Sequence, residues 1–329
     1  MKVEDRATRP GTLNRRALLG GLAATAALGA SGVAARAGAG ERTTADSTGG
    51  AFVLGLNTST IRGQKLGIVE IIDMAAKAGY RGMEPWLDEL NRYKDEGGSL
   101  ADLGKRFKDA GIEVGSAIDF FEWAVDDSDR RRKGLEAAKR SMDLLQKIGA
   151  TRVAAPPSGA TEAPAIELPR LAERYRALLE VGDQFGIVPQ VEVWGPSKTL
   201  GVLAEAAYVA IASGHPKACI LPDIYHMHRG GSPFEGLKLL GPAAVHVIHV
   251  NDYPAEPERE KLTDADRVYP GDGVAPIAGI LKTLADNGGR VMLSLEVFNR
   301  EYWSQDPRLV LETGHRKMKA LVDGLAISS

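Results

Sequence analysis

Short apolar segments alternate with longer segments of helical periodicity along the chain from residue 52 onward. The apolar segments read as buried strands, and each is followed by a stretch with apolar residues three and four positions apart. The predicted strands cover residues 52–57, 81–85, 112–118, 151–157, 188–194, 219–223, 245–252 and 290–298. The predicted helices cover residues 68–78, 99–110, 129–148, 168–185, 199–212, 233–240, 276–287 and 306–322.

This alternation predicts the fold class, which is α/β. Strict strand–helix repetition indicates a parallel sheet, and eight units over about 275 residues are typical of a closed (β/α)8 barrel, the TIM barrel. An open doubly wound sheet is the alternative. It usually carries a glycine-rich phosphate loop after an early strand, and the sequence has none there. In a barrel, catalytic groups lie at the C-terminal ends of the strands.

Four predicted strands in the second half each end near an oxygen or nitrogen donor. These donors are Glu192, Asp223, His249 and Glu296. Side chains alternate between the two faces of a strand, so neighbouring parallel strands that present these groups inward bring all four to one point. Two glutamates, one aspartate and one histidine suit a divalent cation. The sequence therefore predicts one metal site, with Mn²⁺, Mg²⁺, Co²⁺, Zn²⁺ and Fe²⁺ all compatible.

A buried ion-pair cluster at the mouth of the barrel is the alternative interpretation of the same four donors. Buried carboxylates without partners are costly, and the four strands hold no matching set of basic residues. That imbalance favours a metal ion over an ion-pair cluster.

Four further residues are candidates for substrate binding, and each has a plainer alternative. His226 lies three residues beyond Asp223 in the predicted loop after strand six, where it either contacts a substrate hydroxyl or is an ordinary loop residue. Glu84 ends strand two and is equally consistent with a core role. Trp194 either stacks on a sugar ring or packs in the core. Asp272, between two glycines, either binds substrate or caps the following helix.

The first 40 residues predict an export signal. Two arginines, Arg15 and Arg16, directly precede an apolar run rich in alanine and glycine, and small residues suitable for cleavage follow it. The arginine pair resembles the twin-arginine type, which implies the twin-arginine export machinery as a partner. A membrane anchor is the alternative, although the run is weakly hydrophobic. We expect a signal at 1–40, a linker at 41–50, a barrel at 51–325 and a periplasmic or extracellular location in a bacterium.

Composition narrows the function classes. The chain has 329 residues, of which 44% are hydrophobic and 26% are charged, as in an ordinary globular domain. Its one cysteine, Cys219, excludes an intramolecular disulfide and reads as a buried thiol. The whole chain carries −2 and residues 1–37 carry +4, so residues 38–329 carry −6. A mildly acidic protein is a poor candidate for binding nucleic acid.

Several short motifs together resemble the sugar phosphate isomerase/epimerase superfamily with its xylose isomerase-like barrel. They are "VEVW" with Glu192, "DIYH" with Asp223 and His226, "HVND" with His249, "GDG" with Asp272, and "SLEVF" with Glu296. The likeness covers residues 52–325. In the first half, "GMEPWLDELNRYKDEGGSLADL", "SAIDFFEWAVDD" and "RVAAPP" are nearest the 2-keto-myo-inositol isomerase branch.

The resemblance implies an enzyme in which the four donors hold one divalent ion. It implies isomerisation or epimerisation of a keto sugar or keto-inositol, in which a proton next to a carbonyl is removed and an enediolate forms. Glu192 and Glu296 then serve as base and acid as well as ligands. The family's substrate-binding arginine matches either Arg259 or Lys261 only loosely. Export argues for an unphosphorylated substrate.

Three alternative functions follow from the same motifs. A lyase, either a keto-inositol dehydratase or a 3-keto-glycoside eliminase, shares the first proton abstraction. A DNA-repair endonuclease of the same barrel class needs more histidines than the six present. A sugar-binding protein without activity would keep its ligand affinity after metal removal. The sequence leaves the metal identity and the oligomeric state open.

Overall fold

A computed structural model describes residues 50–326, and the eight predicted strands are all present there. The strands are β1 (Phe52–Asn57), β2 (Gly82–Glu84), β3 (Glu113–Val114), β4 (Arg152–Ala155), β5 (Val188–Glu192), β6 (Ile220–Leu221), β7 (Val247–Val250) and β8 (Val291–Leu295). The predicted signal at 1–40 lies outside the described residues, as does all of the linker except residue 50. Within 50–326, no helix combines the length and the apolar character needed to cross a membrane.

Helices follow the strands in the predicted order, with three short additions. They are α1 (Ile68–Ala78), α2 (Leu87–Asp95), α3 (Leu100–Asp109), α4 (Ser128–Lys147), α5 (Leu168–Phe185), α6 (Leu203–Ala212), α7 (Ile224–Gly230), α8 (Ile277–Asp286), α9 (Arg300–Trp303) and α10 (Pro307–Ala326). The spacing of apolar residues did not predict α2, α7 and α9, which follow the C-terminal ends of β2, β6 and β8. Segments of 4 to 9 residues are too short for a helical period to stand out. The helix predicted at 233–240 is present as a 3-10 helix, Phe234–Leu239.

The ends of the predicted helices have identifiable causes. The buried side of α1 carries Ile68, Ile71, Ile72 and Ala75, which is the spacing of one helical face. The helix stops at Gly79, whose φ of 108° is accessible at little cost only to glycine. At the start of α3, the Ser99 side chain accepts a hydrogen bond from the backbone N–H of Asp102.

The strands form a closed parallel barrel, which confirms the predicted fold. Hydrogen-bonded ladders join β3, β2, β1, β8 and β7 in one run, and β4, β5 and β6 in another. Two links complete the circle. The backbone N–H of Ala154 donates to the carbonyl of Ala117 (2.8 Å), and that of His249 donates to the carbonyl of Pro222 (3.0 Å).

Side chains alternate between the outer and inner faces of each strand, and this alternation produces two separate apolar layers. Outward residues such as Leu293 and Leu295 pack in the large core between the sheet and the helices. Inward residues fill the lower barrel in a separate cluster of Val53, Ile118, Ala154, Leu221, Val247 and Met292. Three inward glycines make room for Met292, because a Cβ at Gly55, Gly82 or Gly115 would lie 2.8 Å or less from it. The upper barrel is therefore left to polar side chains.

Candidate metal centre and cleft

The register of the sheet brings the predicted donors to one height. In the backbone pairing of the sheet, Asp223 lies opposite His249, and His249 lies opposite Ser294, two residues before Glu296. His249 Nδ1 lies 3.2 Å from Glu296 Oε2, 3.3 Å from Asp223 Oδ2 and 3.6 Å from Glu192 Oε1. One ligand atom each from Asp223, His249 and Glu296 lies within 4.8 Å of the other two. These three residues form a candidate metal triad, and Glu192 lies beside it.

The triad fits a divalent cation. His249 is fully buried, and neither of its ring nitrogens has a hydrogen bond of acceptable geometry, although carboxylate oxygens surround both. Asp223 is fully buried and Glu296 is 4% exposed. A buried imidazole nitrogen that faces carboxylate oxygens without hydrogen bonding to them is the arrangement expected of metal ligands.

The electrostatics of the cluster show excess negative charge. Burial raises the pKa of Glu192 well above its ordinary value, and the neighbouring carboxylates of Glu296 and Asp223 add to that effect. Burial disfavours the charged form of His249, but the carboxylates of Glu296 and Glu84 outweigh it and raise its pKa. These shifts mean that the protein alone gains protons here, whereas a bound cation would supply the missing positive charge directly.

Arg267 is a basic partner that the strand sequences did not reveal. It lies in the loop after β7 and is 1% exposed. Its Nη1 donates to Glu296 Oε2 (2.8 Å) and to Asp223 Oδ2 (3.0 Å). The acids therefore have one cationic partner, which comes from a loop outside the four strands considered in the sequence. One guanidinium still leaves the four acids around His249 in excess, so the case for a divalent cation stands.

The environment of Arg267 fixes its position. Its guanidinium carbon lies 4.3 Å from the centre of the Tyr225 ring and 5.1 Å from that of Phe298. Its Nη2 donates to Asp264 (2.6 Å) and lies 3.1 Å from His226 Nε2. Arg259 and Lys261, the two residues that the sequence suggested as the family's basic substrate-binding residue, are exposed and pair with neighbouring glutamates.

Glu84 lies beneath the triad rather than in the cleft. Its Oε2 accepts hydrogen bonds from Ser294 Oγ (2.7 Å) and Asn57 Nδ2 (3.0 Å), and it lies 2.9 Å from His249 Nε2. Glu84 is fully buried and is not among the residues that line the cleft, which supports the core role over a substrate contact. A carboxylate behind a ligating histidine orients its ring.

Asn57, at the end of β1, connects this lower layer to the cleft wall. Its Nδ2 donates to Glu84 and to Glu296 Oε1, both at 3.0 Å. Its Oδ1 accepts from the indole N–H of Trp86 at 2.9 Å. Asn57 was not among the site residues predicted from the sequence. The one feature that indicates it is a polar residue at the inward position that ends a strand.

A cleft of about 410 Å³ opens above the triad. Glu192, Glu296, His226 and Arg267 line it, together with a wall of aromatic side chains. His226 stands in the first turn of α7, not in a loop as predicted. Burial lowers its pKa to about 4, so the ring is neutral at pH 7. Because Arg267 can only donate to Nε2, the proton resides on Nδ1, which has no hydrogen-bond partner among the described residues.

Trp194 and Asp272, the two remaining candidates for substrate binding, differ in whether they line the cleft. Trp194 lines the cleft, with its ring 5.9 Å from that of His226. Asp272 is not among the residues that line the cleft, and its carboxylate pairs with Lys317. Asp252 instead accepts the backbone N–H groups that hold this loop, from Gly271, Gly273 and Ala275. The position of Asp272 therefore gives no support to a substrate contact.

The fold and site together define a parallel α/β barrel with a candidate carboxylate–imidazole cation site at the C-terminal ends of its strands. A family model described as a xylose isomerase-like TIM barrel matches residues 72–321. The chain belongs to the xylose isomerase-like TIM barrel family, as its motifs predicted.

Curated relatives fall into two enzyme classes. An inosose isomerase from Bacillus velezensis is 28% identical over 76% of this chain and 90% of its own length. A 3-dehydroshikimate dehydratase from Pseudomonas aeruginosa is 27% identical over 76% of this chain, which spans 39% of that longer protein. Among solved structures, the IolI protein with a bound zinc atom has a TM-score of 0.76 and 22% identity, over 83% of this chain and 99% of that one. This is an enzyme family with isomerase and dehydratase branches.

Proposed function

We propose that the protein is a metal-dependent isomerase or epimerase of an unphosphorylated keto sugar or keto-inositol. The observation that carries the proposal is the convergence of Asp223, His249 and Glu296 beneath an open cleft, with Glu192 beside them. A divalent ion at that point would act as a Lewis acid that stabilises negative charge on a carbonyl oxygen and its neighbouring hydroxyl. The similarity to an inosose isomerase supports this substrate class.

Glu192 and Glu296 are the proposed base and acid. Both line the cleft, and they come from β5 and β8, which are separated by two strands on one side of the barrel. They therefore reach a bound ring from different directions, so one removes the proton next to the carbonyl and the other returns a proton to the neighbouring carbon. Loss of such a group costs about 10²–10⁴-fold in rate.

Arg267 and His226 are proposed to bind and orient the substrate. The guanidinium keeps the Asp223 carboxylate charged: burial acts to raise the pKa of Asp223, but Arg267 holds it well below its ordinary value. The neutral His226 ring lines the cleft and packs against the bound substrate. These groups also exclude water from the underside of the reacting ring, because both are almost fully buried.

A lyase is the second candidate, and the match to a 3-dehydroshikimate dehydratase favours it. Isomerase and lyase share the first proton abstraction and differ in whether a leaving group on the next carbon departs. Metal-loaded protein should therefore be incubated with 2-keto-myo-inositol in deuterated water and followed by NMR. Deuterium incorporation with all oxygens retained supports the isomerase, whereas release of water supports the dehydratase.

Two variants and a chelator make this test decisive. Glu192→Gln should reduce exchange about 10²–10⁴-fold. Glu173→Gln, an exposed change on α5, should leave it unaltered. Removal of the metal should abolish exchange. Exchange that survives both Glu192→Gln and the chelator would refute the proposed site, and ligand binding without exchange would favour a binding protein.

We propose further that residues 1–40 direct export by the twin-arginine route, so that the enzyme acts outside the cytoplasm. The Arg15–Arg16 pair before the apolar run supports this location. Replacing both arginines with lysine should leave the protein in the cytoplasmic fraction, as judged by cell fractionation. Unchanged secretion of that variant would contradict the proposal.

A further inference from the structure

Four aromatic rings form a continuous wall along one side of the cleft. Phe298 contacts Trp86 with ring centres 6.0 Å apart, Trp86 contacts Phe120 at 5.3 Å, and Phe120 contacts Trp194 at 6.2 Å. We name Phe298, Trp86, Phe120 and Trp194 the aromatic wall. Phe120 and Trp194 come from the loops after β3 and β5, so separate parts of the chain build it.

Exposure orders these residues by depth. Glu192 and Glu296, at the bottom of the cleft, are each 4% exposed. Trp86, Trp194 and Phe298 are half-buried, and Phe120 is 42% exposed. The two carboxylates therefore lie at the bottom of the cleft, and Phe120 is the most exposed ring of the aromatic wall.

The inner part of the wall is held rigidly. The indole N–H of Trp86 donates to Asn57, which in turn donates to Glu296, and the Arg62 guanidinium carbon lies 4.4 Å from the centre of the Trp86 ring. At the edge, the Trp194 backbone N–H is bound to the carbonyl of Leu200 at 2.9 Å. Pre-organised aromatic surfaces of this kind bind flat or ring-shaped groups at low entropic cost.

The volume of the cleft exceeds what one sugar-like ring needs. Clefts of about 300–1,000 Å³ hold ligands of drug size, and this one has about 410 Å³. A six-membered polyol has about twelve heavy atoms, which at close packing occupy roughly half of that space. Phe120, Trp194 and Pro196 line the cleft, together with the polar residues Thr161, Glu162 and Ser197. The two aromatic rings give the cleft an apolar surface on which an aryl group can stack.

We infer that the cleft contains a second subsite, on the cleft-facing surface of Phe120 and Trp194, for an aryl ring attached to the reacting ring. The natural substrate is then a keto sugar or keto-inositol that carries an aryl substituent, rather than a bare inosose. This inference rests on the proposed function for the identity of the reacting ring, but its test needs binding alone. The competing explanation is that the two rings only pack their loops together.

The test compares methyl β-glucoside with phenyl β-glucoside, which share one sugar ring and lack the carbonyl needed for reaction. Both are titrated into metal-loaded protein by calorimetry. The wild type should bind the phenyl glucoside roughly tenfold more tightly, equivalent to about 1.4 kcal/mol. Phe120→Leu, which keeps an apolar group but removes the ring, should reduce that ratio to within about twofold. Leu309→Ala, an exposed apolar residue on α10, is the control and should keep the wild-type ratio.

Each outcome decides the inference. Equal affinity of the wild type for the two glucosides overturns it, as does binding of neither. An unchanged phenyl preference in Phe120→Leu also overturns it, and leaves loop packing as the role of the ring. The proposed function is judged separately by deuterium exchange, so a protein that prefers the phenyl glucoside but exchanges no proton retains the subsite and loses the isomerase assignment.

Discussion

Replacing Arg267 with methionine tests the electrostatic organisation of the site. The change keeps the apolar stem between Tyr225 and Phe298 but removes the guanidinium that bonds Asp223 and Glu296 at 3.0 and 2.8 Å. Burial acts against the charged form of Arg267, yet the surrounding carboxylates raise its pKa, which shows how strongly they favour a cation there. Two buried carboxylates would lose their partner.

Removing one partner of a buried ion pair costs about 3–5 kcal/mol. For a domain of this size that corresponds to a fall in Tm of about 5–9 °C. The measurement is differential scanning calorimetry of metal-free and metal-loaded protein. We expect the full loss without metal and a smaller loss with it, because a bound cation faces the same carboxylates and replaces part of the missing charge.

Arg290→Met is the matched control. Arg290 Nη1 lies 2.9 Å from both carboxylate oxygens of Glu113, so the pair resembles that of Arg267 in distance but not in burial: its side chains are 59% and 40% exposed. Exposed pairs contribute about 0–1 kcal/mol. Equal losses of Tm for Arg267→Met and Arg290→Met in metal-free protein would contradict this prediction. So would a metal-induced rise in Tm that is no larger for Arg267→Met than for wild type.

Three further predictions follow from other parts of the molecule. Asn57→Ala should weaken metal binding about 10–100-fold by calorimetry, because Glu84 and Glu296 lose the amide that positions them; unchanged affinity would contradict this role. Burial raises the pKa of Cys219 to about 12, so the thiol is protonated at pH 8 and should react with a thiol reagent only on unfolding; rapid labelling of native protein would disprove it. Gly134→Ala should lower the free energy of unfolding by about 1–3 kcal/mol, because its Cβ would lie 2.4 Å from a backbone oxygen. Gly279→Ala, in open space on α8, should raise it by about 0.5–1 kcal/mol. Chemical denaturation measures both changes, and equal effects of the two variants would contradict these expectations.

Local pattern was enough to predict the strand ends that carry the donors. The period of two along β7 and β8 places His249 and Glu296 inward, and the strict alternation of elements implies parallel strands whose C-terminal ends meet. The distances around His249 confirm that convergence. The same pattern identified Cys219 as a buried thiol, as the structure confirms.

Local pattern did not predict how deep a side chain lies in the barrel or which groups it contacts. Glu84 has the inward parity of a cleft residue, but its place beneath His249 depends on the height at which β2 pairs with β1. Arg267 stands in a polar loop without periodicity, and nothing in the neighbouring residues indicates that its guanidinium turns into the barrel.

The sequence by itself determined the order of strands and helices, the faces of each strand and the chemical type of the groups at their ends, because these follow from side chains a few positions apart. The tertiary structure decided which carboxylate faces a cation and which supports it, that Arg267 enters the cluster, and that four rings from distant loops form one wall. Those outcomes depend on contacts between residues far apart in the chain, whose distances are fixed only when the barrel closes.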